Sequence, residues 1–234
     1  MKFLIRCAPL ALLLFSSCDL ETIPNPTAEK RPADHLVINE VYTLPVTSSN
    51  PFSWIEVLNP TDKPVGNLGS FMVVSVVDQG PAGQSYWMQP LSFRQIATGE
   101  LIDTLEPGGL LVLATDSIRF YNHYNLGPGT GPGIYCDRHF LFERVQGGIP
   151  TAIVESGQIL LLDSLSTPID LVRYGNYVSS AVPDPYPGNR SAGLIPNGYS
   201  LSRYAGGFFT GNSADDFYME SRPIPMWYSE LNHP

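Results

Sequence analysis

The stretch SWIEVLNPTDKP, residues 53–64, combines an alternating run of side chains with a cluster of turn residues. Successive side chains of an extended chain point to opposite sides, so Trp54 and Glu56 would share one face of a strand. Ile55 and Val57 would lie on the other face. The asparagine, prolines and aspartate that follow favour a tight turn. The stretch therefore predicts a β-strand that ends in a turn.

Seven further runs are short, rich in apolar or β-branched residues and bounded by turn residues, which is the pattern of strands. They are residues 36–42, 70–77, 110–115, 158–163, 169–175, 198–204 and 216–221. The 22 prolines and 21 glycines disfavour long helices, and no stretch repeats its apolar residues with the helical period. The sequence predicts an all-β fold of about eight strands in two packed antiparallel sheets. It also predicts a hairpin that turns at residues 164–168.

The core between the two sheets should be filled by alternate residues of these strands. The predicted core residues are Ile38, Ile55, Val57, Val73, Leu111, Leu113, Leu160, Leu162 and Leu171. Two connections, near 78–104 and 117–157, are long for a compact domain, and connections of this length are usually functional or disordered loops. We therefore expect two long loop insertions.

Residues 1–17 have the order of a secretory signal peptide. Lys2 and Arg6 give a positive start, an apolar run follows, and two small serines precede Cys18. The apolar run is shorter than the roughly 20 residues that a membrane-spanning helix needs. The end of the leader, FSSC at 15–18, resembles the lipobox of bacterial lipoproteins, in which the leader is removed and the cysteine is acylated. Cys18 is thus the predicted lipidation site, and an ordinary secretory leader with an incidental cysteine is the alternative.

Residues 18–35 contain the lipidated cysteine and then several prolines and charges, with little to bury, so they predict a flexible tether. Without the leader, 11 of the 13 basic residues remain against 22 acidic ones, and the net charge is −11. Nucleic-acid phosphates repel such a protein, so direct nucleic-acid binding is not expected. Cys136 is the one cysteine left beside Cys18, which excludes an internal disulfide. A buried thiol and an intermolecular bridge both remain open for Cys136.

Five blocks of the sequence, in order, resemble the lamin-tail domain. They are 38–41 (INEV), 54–69 (with WIEVLNP, TDKPV and LG), 105–113 (LEPGGLLVL), 157–175 (with GQILLLD and IDLVRYG), and 198–203 (GYSLSR) followed by 212–217. The resemblance implies an immunoglobulin-like β-sandwich over residues 36–234, with the two insertions enlarging it. Ser70 and Phe71 stand where the family has a tryptophan. Secreted bacterial members of the family are envelope proteins, often found beside nucleases or other hydrolases.

Glu40 and Glu56 allow two interpretations. On paired strands they could form a carboxylate pair for acid–base chemistry. The lamin-tail resemblance instead implies a structural role, in which polar residues of these blocks bind loop backbone and fix the strand register. In either case a buried carboxylate needs partners.

Two groups of residues have the character of metal ligands. His123, Cys136 and His139 make an incomplete zinc pattern, because structural zinc usually has four ligands in short-spaced pairs. Residues 212–216 (NSADD) carry oxygen atoms that suit calcium. Ordinary loop residues are the alternative for the first group, and Asx turns before a strand are the alternative for the second. We predict neither a metal nor a cofactor.

Other motifs give no sign of catalysis, and the chain is predicted not to be an enzyme. The glycine-rich run 127–133 lacks the flanking strand and helix of a phosphate loop. Three tripeptides, 103–105 (DTL), 116–118 (DSI) and 163–165 (DSL), resemble an O-glycan acceptor pattern of some Gram-negative envelopes. Aromatic residues of the loops and C-terminal stretch either form binding patches or plug the ends of the sandwich. They are Tyr86, Trp87, Tyr121, Tyr124, Phe208, Phe209, Trp227 and Tyr228.

The sequence therefore predicts a lipid-anchored protein of the cell envelope, at the outer membrane on its periplasmic or surface side. Its N-terminal lipid would contact the membrane, and its non-catalytic domain would bind a protein or glycan partner through the long loops. An accessory subunit of a secreted hydrolase or nuclease is the second hypothesis. A metal-dependent enzyme that uses an insertion is the third.

Overall fold

The structure is a computed structural model, and it describes residues 31–43, 53–78, 84–91, 93–94, 101–114, 120, 123–124, 156–176, 185–204, 206–223 and 225. Within these residues the chain is mostly β-sheet with antiparallel strand pairs, so the all-β prediction is confirmed. Helical segments there include a 3₁₀ turn at Leu68–Ser70 and a one-turn helix, α1, at Ser213–Asp216. No helix of this part of the chain is long and apolar enough to cross a bilayer.

Each of the eight predicted segments overlaps a strand of the described residues. These strands are β1 (Val37–Tyr42), β2 (Trp54–Leu58), β3 (Val65–Gly66), β4 (Met72–Asp78), β5 (Gln84–Pro90), β6 (Phe93–Arg94), β7 (Leu101–Ile102), β8 (Thr104–Leu105), β9 (Leu110–Ala114), β10 (Gly157–Leu162), β11 (Pro168–Tyr174), β12 (Ser200–Arg203) and β13 (Phe217–Glu220).

These strands form two main sheets. A five-stranded sheet has the order β13-β12-β1-β2-β9, and a four-stranded sheet has the order β11-β10-β4-β5. Two short ribbons pair β3 with β8 and β6 with β7. Strands β10 and β11 form the predicted hairpin. Its turn is held by Asp163, whose Oδ1 accepts hydrogen bonds from the backbone N–H groups of Leu165 and Thr167 at 2.9 and 2.8 Å.

One apolar core joins the inner faces of the two sheets. The five-stranded sheet contributes Ile38, Val41, Ile55, Val57, Leu111, Leu113, Leu201 and Phe217. The four-stranded sheet contributes Val73, Ile159, Leu161, Val172 and Tyr174. Six of the nine predicted core residues lie in this cluster: Ile38, Ile55, Val57, Val73, Leu111 and Leu113. Burial of each large aliphatic side chain contributes about 2 kcal/mol to stability.

The other three predicted core residues lie on the opposite face of the four-stranded sheet. Leu160 and Leu171 are buried there with Val74 and Val76, and Leu162 is partly buried beside them. The prediction that these leucines fill the space between the sheets is wrong. Strand β10 is apolar on both faces, so the alternation of its side chains does not indicate which face meets the other sheet.

The region 78–104, expected to be a long loop insertion, contains a full strand. Strand β5 pairs with β4 from Met72 opposite Pro90 to Asp78 opposite Gln84. It gives the four-stranded sheet an edge that the sequence analysis missed, because glutamine and proline interrupt the apolar pattern of β5. Of the second insertion, 117–157, the structure describes residues 120, 123, 124, 156 and 157.

The first described residues are bonded to the segment that follows β12. The N–H of Ala33 donates to the carbonyl oxygen of Gly207 at 3.0 Å, and Pro32 pairs with Phe208 as an isolated bridge. The Ala33 side chain is buried in a small cluster with Val37, Leu58 and Leu110. Pro32 and Ala33, at the end of the predicted tether, therefore contact the domain.

The turn after β2 is organised by the buried side chain of Asn59. Its Nδ2 donates to the carbonyl oxygens of Lys63 and Leu105, each at 2.8 Å. Its Oδ1 accepts from the backbone N–H of Thr61 at 3.1 Å and from the Thr61 hydroxyl at 2.7 Å. One amide thus satisfies two turns at once, the turn after β2 and the turn between β8 and β9.

We predict that Asn59→Ala lowers the free energy of unfolding by about 2–3 kcal/mol, because it removes the buried hydrogen bond to the Leu105 carbonyl oxygen together with the contacts to Thr61 and Lys63. Urea denaturation measures the change. Asp62→Ala, at an exposed position of the same turn, is the control and should change stability by no more than about 0.5 kcal/mol. Equal losses for the two variants would contradict this role for Asn59.

Candidate functional site

A bulge in β1 determines which groups face which side of the five-stranded sheet. Ile38 is opposite Val57 and Glu40 is opposite Glu56, so the register shifts at Asn39. Residues two apart normally share a face, but the extra residue of a bulge changes this. Ile38 consequently enters the core, whereas Glu40 lies on the outer face, away from the four-stranded sheet.

Two carboxyl groups therefore meet on the outer face. Glu40 and Glu56 are directly opposite each other on β1 and β2, and side chains in such pairs have Cβ atoms about 5 Å apart. Only 5% of Glu40 and 1% of Glu56 is exposed. We call these two residues the carboxyl pair.

The carboxyl pair is bound by side chains of the sheet itself. Asn39, the bulged residue, donates from Nδ2 to Glu56 Oε1 at 2.6 Å. The Ser200 hydroxyl of β12 donates to Glu40 Oε1. Burial raises the pKa of Glu40 to about 8, and the neighbouring charge of Glu56 adds to the rise. At neutral pH this arrangement therefore holds a proton on Glu40 beside the carboxyl group of Glu56.

Aromatic rings pack beside the carboxyl pair. Tyr42 and Trp54 are opposite each other in the next row and stack with centroids 5.7 Å apart. Trp54 Nε1 donates to the hydroxyl oxygen of Tyr124 at 3.2 Å, and Phe120 meets the Trp54 ring edge-on at 6.0 Å. Burial raises the pKa of Tyr124. Tyr124 is thus packed against the sheet rather than displayed as an open binding patch.

The other predicted loop aromatics can be placed only in part. Phe209 is partly buried and meets Tyr186 edge-on, with centroids 5.3 Å apart. Phe208 is also partly buried, so both favour packing over display. The side chains of Tyr86 and Trp87, and the whole of Tyr121, Trp227 and Tyr228, lie outside the described residues.

A second buried polar group lies on the inner side of β1 and centres on Arg203. The guanidinium, which has no exposed area, pairs with Asp170 Oδ2 at 2.5 Å through Nη2. It also donates from Nε to the carbonyl oxygen of Ile38 and from Nη1 to that of Phe208, each at 2.7 Å. The guanidinium carbon lies 4.4 Å from the centre of the Phe217 ring. Arg203 thereby contacts four segments of the chain: β11, β1, the loop after β12, and β13.

Two aspartates complete this group. Asp170 Oδ2 accepts from the N–H of Ile38 at 2.6 Å, and Asp170 Oδ1 accepts from the N–H of Leu171 at 2.8 Å. Asp216 Oδ2 lies 3.4 Å from Arg203 Nη1. We call Asp170, Arg203 and Asp216 the ion network. It joins β11 of the four-stranded sheet to β1 and β12 of the five-stranded sheet, and its short hydrogen bonds to backbone indicate a structural role.

The ion network was not predicted from the sequence. The one signal was the presence of charged residues inside otherwise apolar strands, Asp170 in IDLVRY and Arg203 in SLSR. Buried charges of this kind are rare unless they are paired. A partner search among charged residues within predicted strands would have suggested the pair.

The possible calcium ligands at 212–216 are used by the protein itself. Asp216 accepts from the Thr210 hydroxyl at 2.6 Å as well as facing Arg203. Burial raises the pKa of Asp216, and the charge of Arg203 opposes the rise. Asp215 instead pairs with Arg190 at 2.8 Å. Asn212 Oδ1 accepts from the N–H of Ala214, which is the helix-capping contact that the Asx-turn alternative requires.

The remaining candidates are only partly described. His123 is exposed beside Tyr124, and the other two possible zinc ligands, Cys136 and His139, lie outside the described residues. Within the residues that the structure describes, no three potential metal ligands of the His, Cys, Asp and Glu types come together. Cys18 and the glycine-rich run 127–133 also lie outside this part of the chain.

The three acceptor-like tripeptides differ in accessibility. Thr104 is exposed, but it lies in β8 and the next residue, Leu105, is buried. Ser164 is exposed at the hairpin turn, and 82% of Leu165 beside it is exposed. Residues 116–118 lie outside the described residues. Only the hairpin tripeptide, among the two that are described, presents both its hydroxyl residue and its apolar residue to solvent.

We predict that Asp170→Asn lowers the free energy of unfolding by about 3–5 kcal/mol, because it leaves the buried Arg203 without its closest counter-charge. Urea denaturation of the variant tests this. The control is Asp215→Asn, which breaks the Arg190 pair, where the side chains are 66% and 50% exposed. Exposed pairs contribute at most about 1 kcal/mol. A loss at Asp170 no larger than the loss at Asp215 would show that the ion network does not hold the sheets together.

Comparison of the sequence with protein-family models and with curated proteins gives no match. The lamin-tail resemblance is therefore carried by the five sequence blocks alone.

Proposed function

We propose that this protein is a lipid-anchored component of the bacterial cell envelope, whose β-domain is a non-catalytic binding module of the immunoglobulin-like, lamin-tail type. The anchor is supported by the order of charged, apolar and small residues that ends at Cys18. Acyl chains on this cysteine would hold the protein to one leaflet, since each buried CH₂ contributes about 0.8 kcal/mol.

A connecting segment would separate the anchor from the domain. The first pairing among the described residues is at Pro32, so residues 19–31 would connect the lipidated Cys18 to the domain. Thirteen residues reach about 45 Å when fully extended. The domain could therefore contact partners that are not embedded in the membrane.

The lamin-tail part of the proposal is supported by where the five blocks lie. Block 38–41 contains the bulge of β1, and the block that begins at residue 54 contains β2 and the Asn59 turn. The last two blocks supply both partners of the closest ion pair, Asp170 and Arg203. The blocks thus include residues that hold the two sheets in place, which is what a shared fold would preserve.

The binding role rests on one observation, which is the exposure of large apolar side chains in turns that hydrogen bonds hold rigid. Leu165 is 82% exposed on the hairpin turn that Asp163 fixes. Leu194 is 54% exposed and Tyr199 37% exposed in the segment before β12. Contiguous exposed apolar groups mark contact surfaces, and we infer that Leu165, the most exposed of these side chains, belongs to such a surface. A protein or a glycan would be the partner.

We predict that Cys18→Ala moves the protein from the membrane fraction to the soluble fraction of the envelope, because it removes the site of acylation. Fractionation followed by immunoblotting measures this. Cys136→Ala is the matched control and should remain with the membrane. Retention of the Cys18→Ala variant on membranes, or an intact Met1 on a cytosolic product, would refute the anchor.

We further predict that Leu165→Asp reduces recovery of an envelope partner in a cross-linked pull-down, whereas Thr167→Asp, on the same turn, does not. Mass spectrometry of the captured material identifies the partner. A hydrolase or nuclease lost with Leu165→Asp would favour the accessory-subunit hypothesis. Equal recovery by the wild type and both variants would contradict a contact at this turn.

A further inference from the structure

We propose that Glu40 and Glu56 form a pH-sensitive switch in the five-stranded sheet. While the carboxyl pair holds a proton, strands β1 and β2 stay paired on the outer face; when that proton leaves, the pairing at this point weakens. The proposal concerns the carboxyl pair and does not depend on the anchor or on the binding role.

The first support is that the strands cannot move these carboxyl groups apart. Glu40 is followed in β1 by Val41, which is opposite Ile55, and Ile38 on the other side of the bulge is opposite Val57. All four of these apolar residues are in the main core. The core therefore fixes the register of β1 against β2 on both sides of the carboxyl pair. When both carboxyl groups are charged, their repulsion is relieved only if β1 and β2 separate at this point.

The second support is the nature of the groups around Glu40. Glu56 faces it from β2, Ser200 and Ser202 face it from β12, and Tyr218 and Glu220 lie beyond them on β13. Tyr42 of the same strand and Tyr124 lie beside them, with His123 against Tyr124 and Tyr204 against Tyr218. Arg203 of β12 lies on the inner side, where it binds Asp170. The described charged groups that act on Glu40 from this face are thus the acidic residues Glu56 and Glu220.

The direction of the pH dependence follows from these surroundings. Burial, then the charge of Glu56, raises the pKa of Glu40 to about 8 from 4.5, against the opposing hydrogen bonds of Ser200 and Ser202. The folded protein therefore holds a proton that the unfolded chain releases. Its contribution to stability is complete below pH 4.5 and is lost as the pH rises to about 8. Over that window the folding equilibrium constant should fall by up to about tenfold per pH unit.

The aromatic row beside the pair would report the change. Trp54 is next but one to Glu56 in β2, and it packs against Tyr42, Phe120 and Tyr124. A separation of β1 from β2 at the carboxyl pair would disturb the Tyr42–Trp54 stack and the hydrogen bond from Trp54 to Tyr124. Trp54 would then become more accessible to water.

The test is a pH series from 5 to 9 on the purified protein, in a background with Trp87→Phe and Trp227→Phe, so that Trp54 is the one tryptophan left. Urea denaturation and quenching of Trp54 fluorescence by acrylamide are measured at each pH. This parent protein, with Glu40 and Glu56 unchanged, should become less stable, and its Trp54 fluorescence should be quenched more strongly, as the pH rises. Glu40→Gln keeps a polar group for Ser200 without a titrating proton, and it should show the same stability at pH 6 and pH 9.

Two further variants separate the causes. Glu56→Gln removes the neighbouring charge and should move the pH midpoint downward, whereas Glu220→Gln, on the same face at a greater distance, should leave most of the dependence in place.

Infrared difference spectra between Glu40→Gln and its parent at pH 6 should contain the carbonyl band of a protonated carboxylic acid. Absence of that band, or a Glu40→Gln variant with the parent's full pH dependence, would overturn the proposal.

Discussion

The contact between Arg203 and Asp170 is the interaction on which the arrangement of the two sheets depends. Both side chains are fully buried, and their nitrogen and oxygen atoms lie 2.5 Å apart. Burying two charges is unfavourable unless their geometry is good and their remaining hydrogen-bond capacity is used. The apolar core supplies most of the favourable free energy, but many packings of aliphatic side chains are similar in energy. The ion network tolerates one alignment of β11 against β1 and β12, so it selects among those packings.

The bulge at Asn39 connects this network to the carboxyl pair. It leaves the N–H and the carbonyl oxygen of Ile38 available to Asp170 and Arg203 on the inner side of β1. It also turns Glu40 outward, opposite Glu56. One irregular residue therefore positions two buried polar groups. In the ion network, opposite charges neutralise each other; in the carboxyl pair, a bound proton removes one of two like charges.

Local sequence patterns predicted much of the fold, but they did not predict the long-range contacts. Alternation and turn residues predicted β2 and the β10–β11 hairpin, because both signals act within a few residues. Strand β10 has leucine or isoleucine on both faces, so its inward side depends on the sheet that packs against it. The pairing of Asp170 with Arg203 joins distant segments, and Ile38 joins Asp170 across 132 positions, which no local pattern encodes. A pairing of Glu40 with Glu56 was one of two interpretations of the sequence, and the side-chain partners of the pair, Asn39 and Ser200, follow from the bulge and the strand order.

The most direct test of the role of the ion network is amide hydrogen exchange at Ile38, resolved by NMR under native conditions. Its N–H bonds to the carboxylate of Asp170 instead of to a neighbouring strand. If the network locks the two sheets, this amide exchanges only when the whole domain unfolds, and its protection equals the global free energy of unfolding. Exchange of Ile38 at the rate of exposed loop amides, while the centre of β10 stays protected, would contradict that role.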